Sequence, residues 1–265
     1  MELEGRKALV IGGGSIRPGI GIGRAIALTY ARAGARVAVA DVDAAAAAAT
    51  VRMIQDTGGA ASAIGLDVTD DGSIQRGIAQ ALAWLGGIDL LHNNVGLGKA
   101  GDAADTSPAD WRRIQDANVT ALHVSAQAVL PTMTAQRSGV ILTTSSIAAL
   151  RHLGYSHLAY ATTKAAAIHF TRMLAIDYAR FGIRANSIVA GLIDTPRIAV
   201  TLQAAYDAKG AGDMRARRAA AVPLGRMGSA QDVAEAALFL ASDRAAFITG
   251  TELVVDGGLS ATVQH

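Results

Sequence analysis

The sequence predicts one α/β domain, a doubly wound parallel sheet with helices on both faces. Short apolar runs recur along the chain, and most stop at Gly, Asp or Asn, the pattern of buried parallel strands reaching their C-terminal ends. Between them lie stretches with apolar residues at helical spacing. The length of 265 residues, 51% of them hydrophobic, fills one large core and is too short for two ordinary domains and their linkers. Residues 1–265 are therefore read as a single domain.

Composition excludes several function classes. There is no cysteine, so disulfides and thiolate metal ligands are ruled out, and no metal centre is expected. The 24 Lys and Arg nearly balance the 22 Asp and Glu, and the arginines are scattered, so nothing argues for nucleic acid. Neither a charged and apolar leader nor a long apolar span is visible, and a cytoplasmic protein with no membrane segment is expected.

Lys7 to Ile11 is an apolar run that stops at Gly12-Gly13-Gly14, reading as a first strand and its exit turn. Gly21-Ile22-Gly23 opens a helix that Gly34 ends, and Arg36 to Ala40 is a second strand closing on Asp41. Strand, glycine-rich turn, helix, strand and acid, in that order, form the dinucleotide-binding arrangement. Glycines let the backbone approach a pyrophosphate, and the helix N-terminus offers it unpaired N–H groups and partial positive charge. Asp41 follows Gly23 at the spacing, about 20 residues, where an acid binds the ribose hydroxyls. A carboxylate there repels the extra phosphate of NADP, so NAD is the expected cofactor.

Asp43 caps a helix through the run Ala44 to Ala49, alanine being the best helix former. Ala61 to Leu66 ends at Asp67-Val68, and Ile88 to Leu91 ends at Asn93-Asn94-Val95-Gly96. Both endings fall where open α/β sheets bind ligands, although Asp and Asn favour turns regardless. Ser107-Pro108-Ala109-Asp110 starts a helix with Ser as N-cap, and that helix runs long. Asn118 lies inside it, an awkward place for a side chain that competes for backbone hydrogen bonds; it is either a tolerated surface residue or has a task.

Val140 to Leu142 is a strand that delivers Ser145-Ser146. Tyr160 and Lys164 follow, four residues apart and therefore on one face of a helix. A phenol is a poor base near neutrality, but a nearby cation in a site that excludes water favours the phenolate. Lys164 can thus activate Tyr160, while the Ser146 hydroxyl can hydrogen-bond a substrate oxygen and stabilise charge developing on it. Tyr155 has no such partner, because position 159 is Ala. Gly182 to Val189 is a further strand leading to Gly191-Leu192-Ile193-Asp194-Thr195-Pro196. Residues 197–223 lack a clean period and read as a mobile segment with one or two short helices, with Arg215, Arg217 and Arg218 on a solvated face. Ser229 to Asp232 opens a helix through Leu240, and Thr251 to Val255 is the last strand.

From the first strand to residue 258 these motifs resemble the classical short-chain dehydrogenases/reductases. The resemblance implies a Rossmann fold. It matches Gly12, Gly21, Ile22 and Gly23 to the cofactor turn, Asp41 to the ribose-binding acid, and Asp67-Val68 to the adenine contact. Asn94, Val95 and Gly96 belong to a stretch that looks like the family's Asn-Asn-Ala-Gly motif, and the segment Ile188 to Thr195, with Gly191 and Ile193, matches the one that holds the nicotinamide amide. Asn118, Ser146, Tyr160 and Lys164 match the catalytic tetrad. By the same resemblance Lys164 also binds the ribose, and Asn118 helps to hold a water linking Lys164 to solvent. The implied activity is NAD(P)-dependent hydride transfer between nicotinamide and a carbonyl or secondary alcohol of a small, mainly apolar or cyclic substrate. The alternatives are an NADPH-dependent 3-oxoacyl reductase and a catalytically silent cofactor sensor. A homotetramer is implied, with interfaces on the helices around Asn118 and Tyr160 and on the strand Thr251 to Val255.

The departures bear on the cofactor and on the serine. Ser15-Ile16-Arg17-Pro18-Gly19 lengthens the glycine turn, and Arg17 could reach a 2′-phosphate, which keeps NADP possible. Ile11, Val95 and Ala190 replace the usual Thr, Ala and Pro without removing a reacting group. Tyr160 lies one residue farther from Ser146 than is usual, leaving Ser145 as a substitute, although Ser146 aligns with the second Ser of the family's pair. His152, Leu153, Tyr155, His157, Ile193, Ile198 and Leu202 are the candidate substrate-pocket residues, and nothing among them resembles a phosphate or carboxylate clamp.

Overall fold

The computed structural model describes residues 1–198 and 214–262. Its centre is a seven-stranded sheet in the order β3-β2-β1-β4-β5-β6-β9, with every pairing parallel. The strands are β1 (Lys7–Ile11), β2 (Arg36–Asp41), β3 (Ala61–Gly65), β4 (Leu90–Asn93), β5 (Gly139–Ser146), β6 (Ile183–Ala190) and β9 (Glu252–Val255). A two-residue ladder, β7 (Ile193–Asp194) with β8 (Gly228–Ser229), lies beside it. Ala8, Leu9 and Val10 are fully buried in succession because helices cover both faces.

The helices that connect the strands are α1 (Ile22–Arg32), α2 (Ala44–Gln55), α3 (Asp71–Leu85), α4 (Pro108–Gln115), α5 (Ala121–Gln136), α6 (Leu158–Tyr178), α7 (Met214–Ala220) and α8 (Ala230–Ala241). On one face of the sheet Ile26 and Tyr30 of α1, Ile54 of α2 and Val233 and Leu240 of α8 form the core. On the other, Ile74, Ile78 and Leu85 of α3 meet Val129 and Met133 of α5. The caps are those the sequence predicts: Asp43 accepts from the N–H groups of Ala45 and Ala46, Ser107 caps α4 ahead of Pro108, and Ser229 and Asp232 cap α8 reciprocally. After β3 the chain returns to lay β4 beside β1, so the strand order reverses there and a crevice opens beyond the strand ends.

Two local features depart from the sequence reading. The helix expected to run through Asn118 is interrupted by a π turn, Asp116–Thr120, between α4 and α5. The cause is tertiary, since the Asn118 amide is hydrogen-bonded to the backbone of Leu97, and the residue is 2% exposed rather than on the surface. Of the segment 197–223, expected to be mobile, residues 199–213 lie outside the described residues. The end of the segment forms α7, and its three arginines do not share a solvated face: Arg215 and Arg217 are exposed, but Arg218 is buried. Among the described residues no helix is long and apolar enough to cross a membrane.

A buried polar chain crosses the sheet next to the crevice. Tyr30 Oη bonds His92 Nδ1 at 2.8 Å, and His92 Nε2 bonds Thr144 Oγ1 at 2.9 Å, so a neutral ring uses one nitrogen as donor and the other as acceptor. Burial lowers the His92 imidazole from 6.5 to about 3. The folded value lies below the unfolded one, so the stabilisation is complete above pH 6.5 and is lost as pH falls from there towards 3. Within that window this one group should contribute a slope of about 1.4 kcal/mol per pH unit. His92→Gln should therefore lose less stability than the unmodified protein on going from pH 6.5 to 4.5, by denaturant titration; parallel losses would contradict a neutral buried His92.

Candidate active site

The crevice beyond the C-terminal ends of β1, β4, β5 and β6 is a cleft of 530 Å³. Its first wall is the glycine turn. Gly23, in the first turn of α1, packs so closely on Gly12 that a Cβ there would stand 1.8 Å from the Gly12 carbonyl oxygen, so no other residue fits. Asn94 Nδ2 donates to that same carbonyl at 3.1 Å and ties the loop after β4 to the turn. The α1 N-cap, Gly21, brings no side chain to the first N–H groups of the helix, which Ile22 and Gly23 carry towards the cleft. A cradle of that kind suits a pyrophosphate. Asp41 lies beside it: Oδ2 accepts from the Gly14 N–H at 2.9 Å and Oδ1 from the Asp43 N–H at 3.1 Å, with lone pairs remaining for ribose hydroxyls. Asp67 and Val68 line the same cleft, as do Val95, Gly96, Gly191, Ile193 and Thr195. The residues present thus fit a nicotinamide dinucleotide.

The inserted loop is pinned from below. Buried Arg24 donates to the Gly19 carbonyl at 2.6 Å and to Thr50 Oγ1 at 3.0 Å, joining the insertion to α1 and α2. Ser15 and Ile16 reach the cleft wall, whereas Arg17 is exposed and does not line it.

Successive residues of a strand point to opposite faces, and this separates the two serines at the end of β5. Ser145 Oγ donates to the Lys164 carbonyl at 2.8 Å and is buried, so its proton is committed to the backbone. Ser146 Oγ accepts from the Ala148 N–H at 3.2 Å and keeps its own proton for a ligand. Tyr160 and Lys164 share one face of α6, with Lys164 Nζ 5.7 Å from the centre of the Tyr160 ring. Lys164 Nζ donates to the carbonyls of Thr144 at 2.9 Å and Val95 at 3.2 Å, leaving one N–H for the cleft. A Cβ on Gly96 would sit 2.9 Å from Lys164 Cε and Nζ, which is why the loop has glycine where it crosses the ammonium. The Tyr160 hydroxyl has no hydrogen-bond partner among the described residues. Burial first, and the charge of Arg197 second, lower the Lys164 ammonium to about 7.

Asn118 is brought close to this group without lining the cleft. Its Oδ1 accepts from the Leu97 N–H at 2.7 Å, while Nδ2 donates to the Leu97 carbonyl and to Thr163 Oγ1, each at 2.8 Å. The side chain therefore fastens the loop after β4 to α6. Of the substrate-pocket candidates, Leu153, Tyr155, His157, Ile193 and Ile198 line the cleft and Leu202 lies outside the described residues. His152 does not line it; its exposed ring accepts from the Gly154 N–H at 3.1 Å. Sequence reasoning passed over Thr144, whose carbonyl holds Lys164, and Arg197, which donates to the Gly96 carbonyl; neither belongs to a motif with a local signal. It also misplaced Arg218, which lines the cleft. The spacing of four residues from Met214, an apolar residue on the same short helix, was the available signal.

A family model described as enoyl-(acyl carrier protein) reductase matches residues 19–260. The chain is 35% identical over 260 residues to 2-(S)-hydroxypropyl-CoM dehydrogenase 3 of Xanthobacter autotrophicus, covering 98% of each. It is 33% identical over 262 residues to 2,5-dichloro-2,5-cyclohexadiene-1,4-diol dehydrogenase LinX of Sphingobium indicum, covering 99% of each. Among solved structures, a short-chain type dehydrogenase/reductase from Mycobacterium marinum superposes with a TM-score of 0.87 at 33% identity over 98% of each chain. A 7α-hydroxysteroid dehydrogenase complexed with NADH and 7-oxo glycochenodeoxycholic acid gives a TM-score of 0.87 at 36% identity, over 97% of this chain and 95% of that one.

Proposed function

The chain belongs to the classical short-chain dehydrogenase/reductase family, and from that premise we propose that it oxidises the secondary alcohol of a small, mainly apolar or cyclic substrate with NAD, reversibly. Members of the family use NAD(P), and dehydrogenase relatives make this an oxidoreductase acting on CH–OH groups. The observation that carries the finer reading is the convergence of Ser146, Tyr160 and Lys164 on one cleft with the glycine turn. When bound, the nicotinamide supplies the hydride-accepting carbon. Ser146 donates its free proton to the substrate oxygen and fixes its direction. Tyr160, as the phenolate, takes the carbinol proton and becomes the phenol; among the described residues nothing else is hydrogen-bonded to that oxygen. Lys164 favours the phenolate and offers its remaining N–H to the ribose. Asn118 holds the loop that carries Val95 and Gly96 against Lys164. A panel of cyclic and acyclic secondary alcohols with NAD, followed by NADH absorbance, tests the reading. Cofactor binding with no turnover across the panel would return the cofactor-sensing alternative.

Cofactor preference follows from Asp41. A 2′-phosphate would meet this carboxylate in a partly desolvated cleft, a like-charge contact that costs several kcal/mol. Arg17 is exposed and away from the cleft wall, so its compensation is small. Catalytic efficiency should favour NAD by at least roughly tenfold. Asp41→Asn, which keeps an acceptor for the Gly14 N–H, should narrow the ratio, and Arg17→Ala should leave it unchanged. Equal use of NADP by the unmodified protein would contradict the assignment and favour the 3-oxoacyl reductase.

The assembly we propose is a homotetramer. Met173 and Ile176 are exposed on α6, and Val254 is exposed on β9, the last strand of the sheet. Burying these faces against copies of themselves removes apolar surface from water and covers the sheet edge. Sedimentation equilibrium at micromolar concentration should give four times the chain mass of 27.0 kDa. A single 27.0 kDa species would rule this out.

A further inference from the structure

Arg218 stands one helical turn after Met214 on α7, so the two share a face. Met214 packs with Ile198, Tyr155 and Met227, and both Ile198 and Tyr155 line the cleft that holds Ser146 and Tyr160. Arg218 lines that cleft as well and is only 6% exposed. Its Nε and Nη1 are buried without a hydrogen-bond partner among the described residues. Its neighbours on the helix behave differently: Arg215 pairs with Asp194 at 3.1 Å in an exposed position, and Arg217 faces solvent.

A buried guanidinium with unmet N–H groups is destabilising, and its presence in a binding cleft points to a partner that arrives with the ligand. The planar fork of arginine matches an oxyanion bidentately, a carboxylate above all. Oxyanions could come from the cofactor phosphates or from the substrate. The pyrophosphate has its cradle at the glycine turn and the α1 N-terminus, whereas Arg218 shares its face with the apolar patch of Met214, Ile198 and Tyr155. We propose that Arg218 is the anion-binding group of the substrate pocket, so that the alcohol oxidised carries a carboxylate or similar oxyanion apart from its reacting carbinol. This rests on the dehydrogenase reading above and narrows its substrate to amphipathic hydroxy acids, an apolar body with one anionic end.

The test uses cyclohexanols that bear a carboxylate, a sulfonate or a neutral carboxamide at ring positions 3 and 4, with saturating NAD. The unmodified protein should prefer the anionic members over the carboxamides in kcat/KM by at least roughly tenfold, as expected for a hydrogen bond to a charged group. Arg218→Leu should collapse that ratio towards one, Arg218→Lys should recover part of it, and Arg217→Leu should leave it unchanged. Calorimetric binding of cyclohexanecarboxylate and cyclohexanecarboxamide to the NADH-loaded protein reads the same preference without turnover. Absence of turnover with retained, Arg218-dependent carboxylate binding would therefore count against the dehydrogenase reading and for the anion site. Should Arg218→Leu fail to fold, the preference of the unmodified protein and its loss in Arg218→Gln decide the matter. Equal handling of carboxylate and carboxamide overturns the proposal, as does an Arg218→Leu variant that keeps the preference and instead loses NAD affinity.

Discussion

Tyr160→Phe should lower kcat by roughly 100- to 10,000-fold, the range that a positioned acid or base contributes, and leave NAD affinity nearly unchanged. The ring is held independently of the hydroxyl: Gly98 lies against it, with a Cβ there reaching 3.0 Å from Cδ2, and His157 lies 5.3 Å from it centre to centre. Phenylalanine keeps those contacts. What it loses is an oxygen in the cleft that is placed beside a cation and makes no hydrogen bond among the described residues. Steady-state kinetics paired with NADH titration separates the two effects, and turnover within tenfold of the unmodified protein would remove Tyr160 from the proton path.

Lys164→Ala should abolish turnover to a similar extent and, unlike Tyr160→Phe, also weaken NAD binding. One ammonium serves both functions, because its single N–H not bound to Thr144 or Val95 is what remains for ribose and phenol. The truncation also strands two carbonyls in a buried place, each at a cost of about 1–3 kcal/mol, so a lower denaturation midpoint should accompany the loss. Lys164→Met fills more of the space and serves as the packing control. Unchanged NAD affinity in both variants would reject the ribose role and leave Lys164 acting on Tyr160 alone.

The elements of the fold were legible because their signals are local. Apolar runs that stop at Gly12, Asp41, Asp67 and Asn93 place four strand ends, and Asp43, Ser107 and Ser229 announce helix starts through capping chemistry that involves only the next few residues. The Tyr160 and Lys164 pair was legible for the same reason, as a four-residue spacing on a helix. What escaped depends on residues distant in sequence. The π turn at Asn118 answers a hydrogen bond to Leu97, and the separation of Ser145 from Ser146 depends on the Lys164 carbonyl. The insertion 15–19 reads only as a lengthening of the glycine turn until Arg24 is seen holding Gly19 and Thr50 together. Arg218 was misread because charge is a strong prior for solvent exposure, and only the packing of Met214 one turn earlier on α7 turns it inward.

The most direct measurement follows a labelled hydrogen. A panel alcohol carrying deuterium on its carbinol carbon is incubated with NAD and the protein, and the reduced cofactor is examined by mass spectrometry and NMR. The account predicts one deuterium at C4 of the nicotinamide for each ketone formed, at a rate that falls with Tyr160→Phe. Ketone formation without deuterium in the cofactor, or bound NAD that no alcohol on the panel reduces, would contradict it.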